Sequence, residues 1–360
     1  MESSRHNFGE SSGKKPFVSV ICPIRNEEDY IFQCLESLVN QSYDPHNMEI
    51  LVMDGMSDDQ TRKIVHKYEE EYSNIHLVDN PKRYVSSALN IGIRQARGKY
   101  IIRMDGHAKE ALDFVEKSIA ALQNNEADCA GGPIISLNDT ETGKAIALAM
   151  SSPFGVGNSR FRTSVDKQCY VDTLAFPAFK REVFSKVGLF DEEMVRCQDD
   201  EFNFRIRKFG GKILLTPEIK SCYYPRGGFK KLWRQYFGYG LWKIRVWQKH
   251  FWKMQLRHFF PVGFVLSLLL PLILSFFIPG AYRISIGILG LYFAASILAA
   301  GLIRRRNREV SFFKILLSFY ILHFSYGIGF LWGLIKFAHH WFDKETYPTL
   351  APAPEQRLEY

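Results

Sequence analysis

Apolar and polar residues alternate in blocks along the first two thirds of the chain. The run FVSVICPI at 17–24 is almost entirely apolar, which is typical of a strand buried on both faces. The next segment places Ile31, Leu35 and Leu38 at helical spacing. The same order repeats, with further strands predicted at about 48–53, in NIHLVDNP and in GKYIIRM, and with helices between them. Strands that alternate with helices predict a doubly wound, mostly parallel α/β sheet.

Beyond about residue 225 the pattern becomes aromatic and basic, and then strongly apolar. Residues 229–258 hold four of the six tryptophans among Lys and Arg, as in helices that lie along a membrane surface. Three uncharged stretches follow, each about long enough to cross a bilayer core of roughly 30 Å, the first one marginally. We therefore predict a disordered tail (1–15), a globular domain (16–225), amphipathic interfacial helices (226–258), three transmembrane helices within 259–338 (about 262–278, 284–303 and 315–335) and a C-terminal tail (339–360).

The distribution of the net charge of +8 indicates which partner the basic residues meet. Residues 219–308 contain 15 Lys and Arg and no Asp or Glu, beside the apolar stretches. A nucleic-acid-binding protein would carry its basic surface on the folded domain, so we expect contact with anionic lipid and no nucleic acid. The RRRNR loop at 304–308 predicts a cytoplasmic location for itself and for the globular domain. The six cysteines form no CxxC pair, which favours reduced thiols over a zinc site.

Polar side chains follow the predicted strands at their carboxyl ends. The segment 25–27 follows the first strand, Asp54 the second, and Asp105 with His107 the fourth. Parallel sheets bind ligands in the crevice at this edge, so one crevice can gather all these side chains. After Asp54, the residues at 57–60 predict a capping box that opens a helix. The sequence lacks the GxGxxG, GxxxxGK[ST] and GxSxG motifs, which removes the main support for dehydrogenase, P-loop and hydrolase functions.

The tripeptide Asp105-Gly106-His107 is a candidate metal site. In extended backbone, residues i and i+2 point the same way, so Asp105 and His107 can bind one object. A divalent cation would neutralise a diphosphate that no glycine-rich loop binds, and mixed oxygen and imidazole ligands suit Mn²⁺ at least as well as Mg²⁺. The same three residues also occur in plain strand-to-helix turns. Their position at the end of a strand favours the metal.

Three acids, Asp199, Asp200 and Glu201, open a predicted helix in VRCQDDEFNFRIRKFGG. Acidic residues in a first helical turn are commonly just favourable placement near the helix dipole. A carboxylate beside a metal-bound leaving group can instead be a general base. The residues alone leave both interpretations open.

Together these segments resemble glycosyltransferase family 2, the inverting enzymes of the GT-A fold, over about residues 16–340. Asp54-Gly55 with Ser57 is similar to the family's nucleotide-binding DDGS segment, and Asp105-Gly106-His107 is similar to its metal-binding DxD. Gln198-Asp199 is similar to its Glu-Asp pair, whose Asp is the catalytic base. Within the family, NPKRYVSSALNIGI, RMDGHA, SSPFGVGNSRFR and QYFGYGLWK resemble membrane-anchored succinoglycan-type glucosyltransferases more closely.

The resemblance implies transfer of a single hexose from a nucleotide diphosphate sugar, UDP-glucose, to a lipid-linked saccharide. Asp105 and His107 would hold Mn²⁺ or Mg²⁺. Asp199 would be the base, with Asp200 as its rival because Gln198 replaces the first acid of the pair. The implied nucleotide-sugar site comprises Pro23, Arg25, Asn26, Glu27, Asp54, Asp105, Gly131 and Gly132, and the implied acceptor or diphosphate loop contains Gln235 and Tyr239.

One departure from the family bears on the reaction. QYFGY at 235–239 lies where processive synthases carry QxxRW, without the Arg and Trp, so single additions are favoured over polymer extrusion. Two other functions stay open, a polyprenyl-phosphate sugar synthase of the same fold and a catalytically inactive membrane scaffold. In each case we expect an integral protein of the cytoplasmic membrane whose catalytic domain faces the cytoplasm.

Overall fold

A computed structural model describes most of the chain. The predicted disordered tail at 1–15 and the last ten residues lie outside the described part. The described residues are 18–138, 140–157, 159–163, 166–224, 227–251, 254–341, 343 and 347–350.

Strands and helices alternate in the order that the sequence predicts for its first half. The strands are β1 (Val18–Ile24), β2 (Met48–Asp54), β3 (Ile75–Asp79), β4 (Tyr100–Arg103), β5 (Ala108–Glu110), β6 (Cys129–Gly131), β7 (Ile134–Ser136), β8 (Cys169–Tyr170), β9 (Ala178–Lys180), β10 (Ile213–Leu215) and β11 (Ser221–Tyr223). The helices are α1 (Ile31–Val39), α2 (Thr61–Glu71), α3 (Val85–Gln95), α4 (Phe114–Asn124), α5 (Glu141–Met150), α6 (Pro153–Val156), α7 (Glu182–Val187), α8 (Gln198–Lys208), α9 (Phe229–Lys249), α10 (Phe260–Leu274), α11 (Tyr282–Arg306) and α12 (Phe312–Lys336).

The chain folds into two compact units, and their boundaries differ from the predicted ones. The first unit, here called the catalytic unit, contains the described residues 18–134, 166–222 and 347–350. The second unit, here called the helical unit, contains residues 135–164 and 223–345. The insertion 135–164 therefore leaves the predicted globular domain, and the C-terminal segment joins it.

The catalytic unit is built on an eight-stranded sheet of order β3-β2-β1-β4-β9-β6-β10-β8. β2 and β4 flank β1 in parallel, and β3 continues the parallel half next to β2. β9 runs antiparallel to both of its neighbours, β4 and β6. The predicted α/β class is confirmed, and the sheet is mixed because β9, from much later in the chain, enters between β4 and β6. The carboxyl ends of β1, β2 and β4 lie at one edge.

Local sequence explains the parallel half. Every residue of β1 and of β2 is buried, as their apolar runs predict. The predicted capping box is wrong, because α2 begins at Thr61 and Gln60 caps it without a side-chain hydrogen bond. Asp59 accepts from the backbone N–H of Thr61 at 2.9 Å instead, and Glu28 accepts from that of Gln60 at 3.0 Å. Carboxylates from two loops thus satisfy the first N–H groups, which a helix cannot pair internally.

An aromatic cluster holds α8 against the sheet. The rings of Phe190 and Phe202 stack with centroids 4.3 Å apart, and Phe184 stacks on Phe202 at 5.4 Å. Phe179 of β9 meets both Phe184 and Phe202 edge to face. Aromatic pairs in these arrangements contribute about 0.5–1.5 kcal/mol each beyond the area they bury. The start of α8 is therefore held firmly relative to β9 and β4.

The helical unit is organised around α12. Glycines allow α9 and α12 to approach closely: a Cβ on Gly240 would lie 2.1 Å from the carbonyl oxygen of Tyr326, and one on Gly329 would lie 2.2 Å from that of Phe237. By length and composition two described helices could cross a membrane, α11 and α12, whereas α10 has 15 residues and is shorter. Of the three predicted spans, the second and third correspond to helices of full length, and the first corresponds to the shorter α10.

Candidate active site

Hydrogen bonds join the loops that follow β1 and β2. Asn26 donates from its backbone N–H to Ser57 Oγ at 2.9 Å and from Nδ2 to Asp58 Oδ1 at 2.7 Å. The backbone N–H of Glu27 donates to Thr61 Oγ1 at 2.8 Å. Asn26 adopts a left-handed φ of 53°, which Asn tolerates better than most residues. The two loops act as one polar rim, and the predicted Arg25 lies exposed on it.

Asp54 supports this rim from below. Its carboxylate is fully buried and accepts from the backbone N–H of Ser57 at 3.0 Å and from Ser57 Oγ at 2.5 Å. Arg62 Nη1 lies 2.5 Å from Asp54 and 2.8 Å from Asp79, so one guanidinium joins the ends of β2 and β3. The structure thus gives Asp54 a part in holding the loop. The predicted Pro23 is buried inside β1, level with Met53 of β2.

The Asp105-Gly106-His107 segment follows β4 and packs against the end of β1. A Cβ on Gly106 would lie 2.7 Å from Ile24 Cγ2 and 3.3 Å from Glu27 Cγ, so only glycine allows this approach. His107 Nδ1 lies 3.2 Å from Glu27 Oε1. Glu27, which is predicted to bind the nucleotide sugar, is buried beside this imidazole.

A buried arginine that sequence reasoning missed connects the two predicted centres. Arg103, the last residue of β4, is 7% exposed, and its Nη2 lies 3.0 Å from Asp105 Oδ1. Its Nη1 forms an ion pair with Asp199. Burial alone would lower the pKa of Arg103, but the carboxylates of Asp105 and Asp199 raise it above its usual value. A lone cation in the apolar strand YIIR, two residues before Asp105, is the signal in the sequence.

The three acids of α8 have different surroundings. Burial raises the pKa of Asp199, against the opposing effect of Arg103. Glu201 is fully buried and holds Arg205 through two contacts of 2.8 Å. Asp199 and Asp200 are both partly exposed. The helix-dipole interpretation is therefore insufficient for Asp199, which pairs with Arg103 of β4, and for Glu201, which pairs with Arg205 one turn further along α8. A carboxylate with a raised pKa lies closer to the range in which a general base works.

The remaining predicted residues are two glycines at the carboxyl end of β6 and two residues of α9. A Cβ on Gly132 would lie 1.7 Å from the carbonyl oxygen of Ile219, and one on Gly131 would lie 3.2 Å from Leu174 Cδ1. The backbone of Ile219 therefore accounts for Gly132 without a bound sugar, whereas the flexible end of Leu174 leaves Gly131 less restricted. Gln235 and Tyr239 belong to α9 in the helical unit, where Gln235 Nε2 donates to the Tyr239 hydroxyl at 2.9 Å.

The side chains of Asp105 and His107, just after β4, suit a metal ion that takes its other ligands from a substrate. Among the described residues no group of three His, Cys, Asp or Glu side chains is placed to hold an ion. Asp105 and His107 offer one carboxylate and one imidazole, and Mg²⁺ and similar ions are commonly bound by one or two carboxylates together with substrate phosphates. Metal-bound histidines usually donate a hydrogen bond from their second ring nitrogen to a carboxylate, and Glu27 Oε1 lies 3.2 Å from His107 Nδ1. These residues fit such an ion.

Comparison with known proteins shows the family of this chain. The family profile described as "Glycosyl transferase family 2" matches residues 19–188. The succinoglycan biosynthesis protein ExoA of Rhizobium meliloti (strain 1021) is 30% identical over 246 residues, 68% of this chain and 74% of that protein. A dolichyl N-acetyl-alpha-D-glucosaminyl phosphate 3-beta-D-2,3-diacetamido-2,3-dideoxy-beta-D-glucuronosyltransferase of Methanococcus voltae is 29% identical over 328 residues, 89% of this chain and 98% of that protein.

A solved structure shares the fold. The mannosyltransferase PcManGT of Pyrobaculum calidifontis, solved in complex with GDP-Man and Mn²⁺, superposes with a TM-score of 0.56 at 19% identity, covering 89% of this chain and 88% of that one. The mixed sheet, its polar edge and these likenesses define a glycosyltransferase of the GT-A type. The chain belongs to glycosyltransferase family 2.

Proposed function

We propose that this glycosyltransferase transfers a single hexose, from UDP-glucose, to a hydroxyl group of a lipid-linked saccharide, with inversion at the anomeric carbon. One observation carries the proposal: Arg103 brings Asp105, the predicted metal ligand, and Asp199, the predicted base, to the same guanidinium. A donor diphosphate at Asp105 and an acceptor hydroxyl at Asp199 would thus meet at the end of β4.

The chain's own residues supply positioning and proton transfer. Asp105 and His107 would hold a divalent cation, which would offset the charge of the departing diphosphate. The rim formed by Arg25 and Asn26 would border the nucleotide. The acceptor oxygen attacks the anomeric carbon, the bond from that carbon to the diphosphate oxygen breaks, and the hydroxyl proton passes to Asp199. Arg103 keeps the carboxylate of Asp199 oriented and favours its ionised form before the acceptor arrives.

Two kinds of support favour a lipid-linked acceptor. The candidate membrane helices and the relatives indicate membrane association. The name of the relative from Methanococcus voltae describes transfer to a sugar on a dolichyl phosphate. A hydroxyl acceptor needs a general base, and the raised pKa of Asp199 suits one. We further propose that the catalytic unit faces the cytoplasm, on the basis of the basic loop at 304–308.

Membranes containing the full-length enzyme test this proposal. They are incubated with labelled nucleotide sugars, with and without Mn²⁺, and the label in the lipid fraction is measured. We expect label from UDP-glucose, dependent on the cation. No lipid label from any nucleotide sugar would contradict the acceptor class, and label from a different sugar would correct the donor.

Asn substitutions of neighbouring acids test the base. Asp199→Asn should abolish transfer while nucleotide-sugar binding remains, and Asp200→Asn is the matched control that should retain transfer. The reverse result would assign the base to Asp200. Full transfer by Asp199→Asn would favour a polyprenyl-phosphate sugar synthase, because a phosphate acceptor needs no base.

A further inference from the structure

The segment 347–349, here called the docked segment, lies against the rest of the catalytic unit. The backbone N–H of Leu189 donates to the carbonyl oxygen of Pro348 at 2.7 Å. Arg94 Nη1 donates to the carbonyl oxygen of Thr349 at 3.1 Å. Two successive carbonyl groups of the segment are therefore held, one by the loop between α7 and α8 and the other by α3.

A glycine in this loop makes room for the docked segment. Gly188 has a φ of 79°, in the left-handed region that glycine adopts more readily than other residues. A Cβ at this position would lie 3.0 Å from the carbonyl oxygen of Pro348 and 3.4 Å from Tyr347 Cβ. The loop is therefore shaped where the segment approaches it.

The ring of Tyr347 covers a fully buried arginine. Its centroid lies 4.2 Å from the guanidinium carbon of Arg205, and the centroid of Phe202 lies 4.9 Å from the same atom. Arg205 also donates to the carbonyl oxygens of Val187 and Leu189. A planar guanidinium stacks well on aromatic rings, and this attraction is stronger where water is excluded. The docked segment therefore helps to keep Arg205 out of water.

Arg205 joins this loop to the helix that carries Asp199. It makes two contacts of 2.8 Å with Glu201, one turn earlier in α8, and Glu201 is fully buried as well. A buried ion pair offsets the cost of its lost hydration only while its geometry is kept. Asp199 lies in the same first turn of α8 and pairs with Arg103 of β4. A shift of this turn would move Asp199 away from that partner.

The start of α8 needs such support. Cys197, at the N-cap of α8, has a left-handed φ of 61°. A residue other than glycine keeps this conformation only when the surrounding structure holds it there. The aromatic cluster holds α8 through Phe202, whereas the pair of Arg205 with Glu201 holds its first turn. The cover that Tyr347 gives to Arg205 is therefore a support for the strained helix start.

We propose that Tyr347 is a positioning residue of the transferase. By stacking on Arg205 it holds the first turn of α8, and with it the carboxylate of Asp199, in the place from which that carboxylate takes the proton of the acceptor. This inference rests on the proposed role of Asp199 as the base. Donor binding is assigned to the loops that follow β1, β2 and β4, so a displaced α8 slows the transfer step and leaves the affinity for the nucleotide sugar unchanged.

Kinetics and hydrogen exchange of full-length variants in detergent test this proposal. The variants are Tyr347→Ala, Tyr347→Phe and Arg94→Ala, the last of which removes the hydrogen bond from α3 to the docked segment. Phe209→Ala is the matched control, because it removes an aromatic ring that is 63% exposed at the other end of α8. For each variant, kcat, KM and stoichiometric binding are measured with the nucleotide sugar that labels the lipid fraction. Deuterium uptake is followed in peptides that cover 186–190 and 198–204.

We expect Tyr347→Ala to lower kcat about 10- to 100-fold, because a displacement of about 1 Å at a catalytic group can cost that much. KM for the nucleotide sugar should change by less than about twofold, and the amide of Leu189 should exchange faster. Tyr347→Phe should keep the parent kcat and Arg94→Ala should show a smaller loss. Phe209→Ala should behave as the parent.

Three outcomes would overturn the proposal. The first is the parent kcat in Tyr347→Ala together with faster exchange at Leu189, since the segment would then dock without positioning the base. The second is unchanged exchange at Leu189 in the same variant. The third is a fall in kcat that equals the loss of nucleotide-sugar binding sites, which would show a loss of folded enzyme. Failure of the proposed function has a different signature, because Asp199→Asn would then retain transfer while exchange at Leu189 in Tyr347→Ala still rises.

Discussion

Replacing Glu110 by glutamine should stabilise the enzyme, and by an amount that depends on pH. Glu110 ends β5 and its side chain is 5% exposed. Neither carboxyl oxygen makes a hydrogen bond of ordinary geometry to a described residue. Burial raises the pKa of Glu110 from 4.5 to about 8, the hydroxyl of Ser221 lowers it in part, and the charge of Asp105 raises it further.

The sign and size of the change in the free energy of unfolding follow from this pKa. At pH 7 the unfolded chain carries Glu110 ionised and the folded protein holds it protonated, so folding takes up a proton. With about 1.4 kcal/mol for each pH unit above 4.5, the carboxyl group destabilises the fold by roughly 3 kcal/mol at pH 7 and by roughly 5 kcal/mol above pH 8. Below pH 4.5 it is protonated in both states and the cost vanishes. Glu110→Gln keeps the shape and removes the titration.

Thermal unfolding of the full-length enzyme in detergent measures the difference in stability between Glu110→Gln and the parent. Glu110→Gln and the parent are compared at about pH 5, 7 and 9, together with Glu70→Gln, an exposed position on α2, as the matched control. We expect the stabilisation by Glu110→Gln to grow with pH, while Glu70→Gln stays close to the parent. A difference that is independent of pH, or a destabilisation that grows with pH, would refute the reasoning.

Three further changes test other contacts. Arg103→Met should leave two carboxylates without their cation, destabilise the fold by about 3–5 kcal/mol and abolish transfer, and Arg103→Lys should recover part of the stability in the same unfolding assay. Tyr347→Ala should lower the unfolding temperature and Tyr347→Phe should keep the parent value, since the ring centroid lies 4.2 Å from the guanidinium carbon of Arg205. Equal losses in the two variants would point to the hydroxyl. Gly132→Ala should prevent correct folding, seen as loss of soluble or membrane-inserted protein on expression, because its Cβ would overlap the carbonyl oxygen of Ile219; wild-type yield would contradict this.

Local patterns were enough to predict the parallel half of the sheet and its polar edge. The apolar runs of β1 and β2 are buried as predicted, and Asp54 and Asp105 follow strands at the same edge of the sheet. In this half of the sheet, each strand packs against neighbours that are only a few dozen residues away in the chain. The hydrophobic pattern carries information over that range.

Contacts distant in the chain were not predictable in this way. The ion pair between Arg103 and Asp199 joins residues nearly a hundred positions apart, and β9 inserts antiparallel beside β4 without a signal in its own short sequence. The capping box failed because carboxylates from two loops reached the N–H groups first. α12 carries the composition of a span, and composition alone does not distinguish lipid from protein as the apolar partner.

The docked segment at 347–349 has a consequence for how the enzyme is made. A ribosome delivers the first 222 residues, and with them both acidic centres, well before Tyr347 leaves the exit tunnel. Arg205 cannot receive its aromatic neighbour until α10, α11 and α12 have been synthesised. Maturation of the catalytic unit is thereby coupled to completion of the helical unit, and nascent chains that stall midway would lack the contact of Tyr347 with α8.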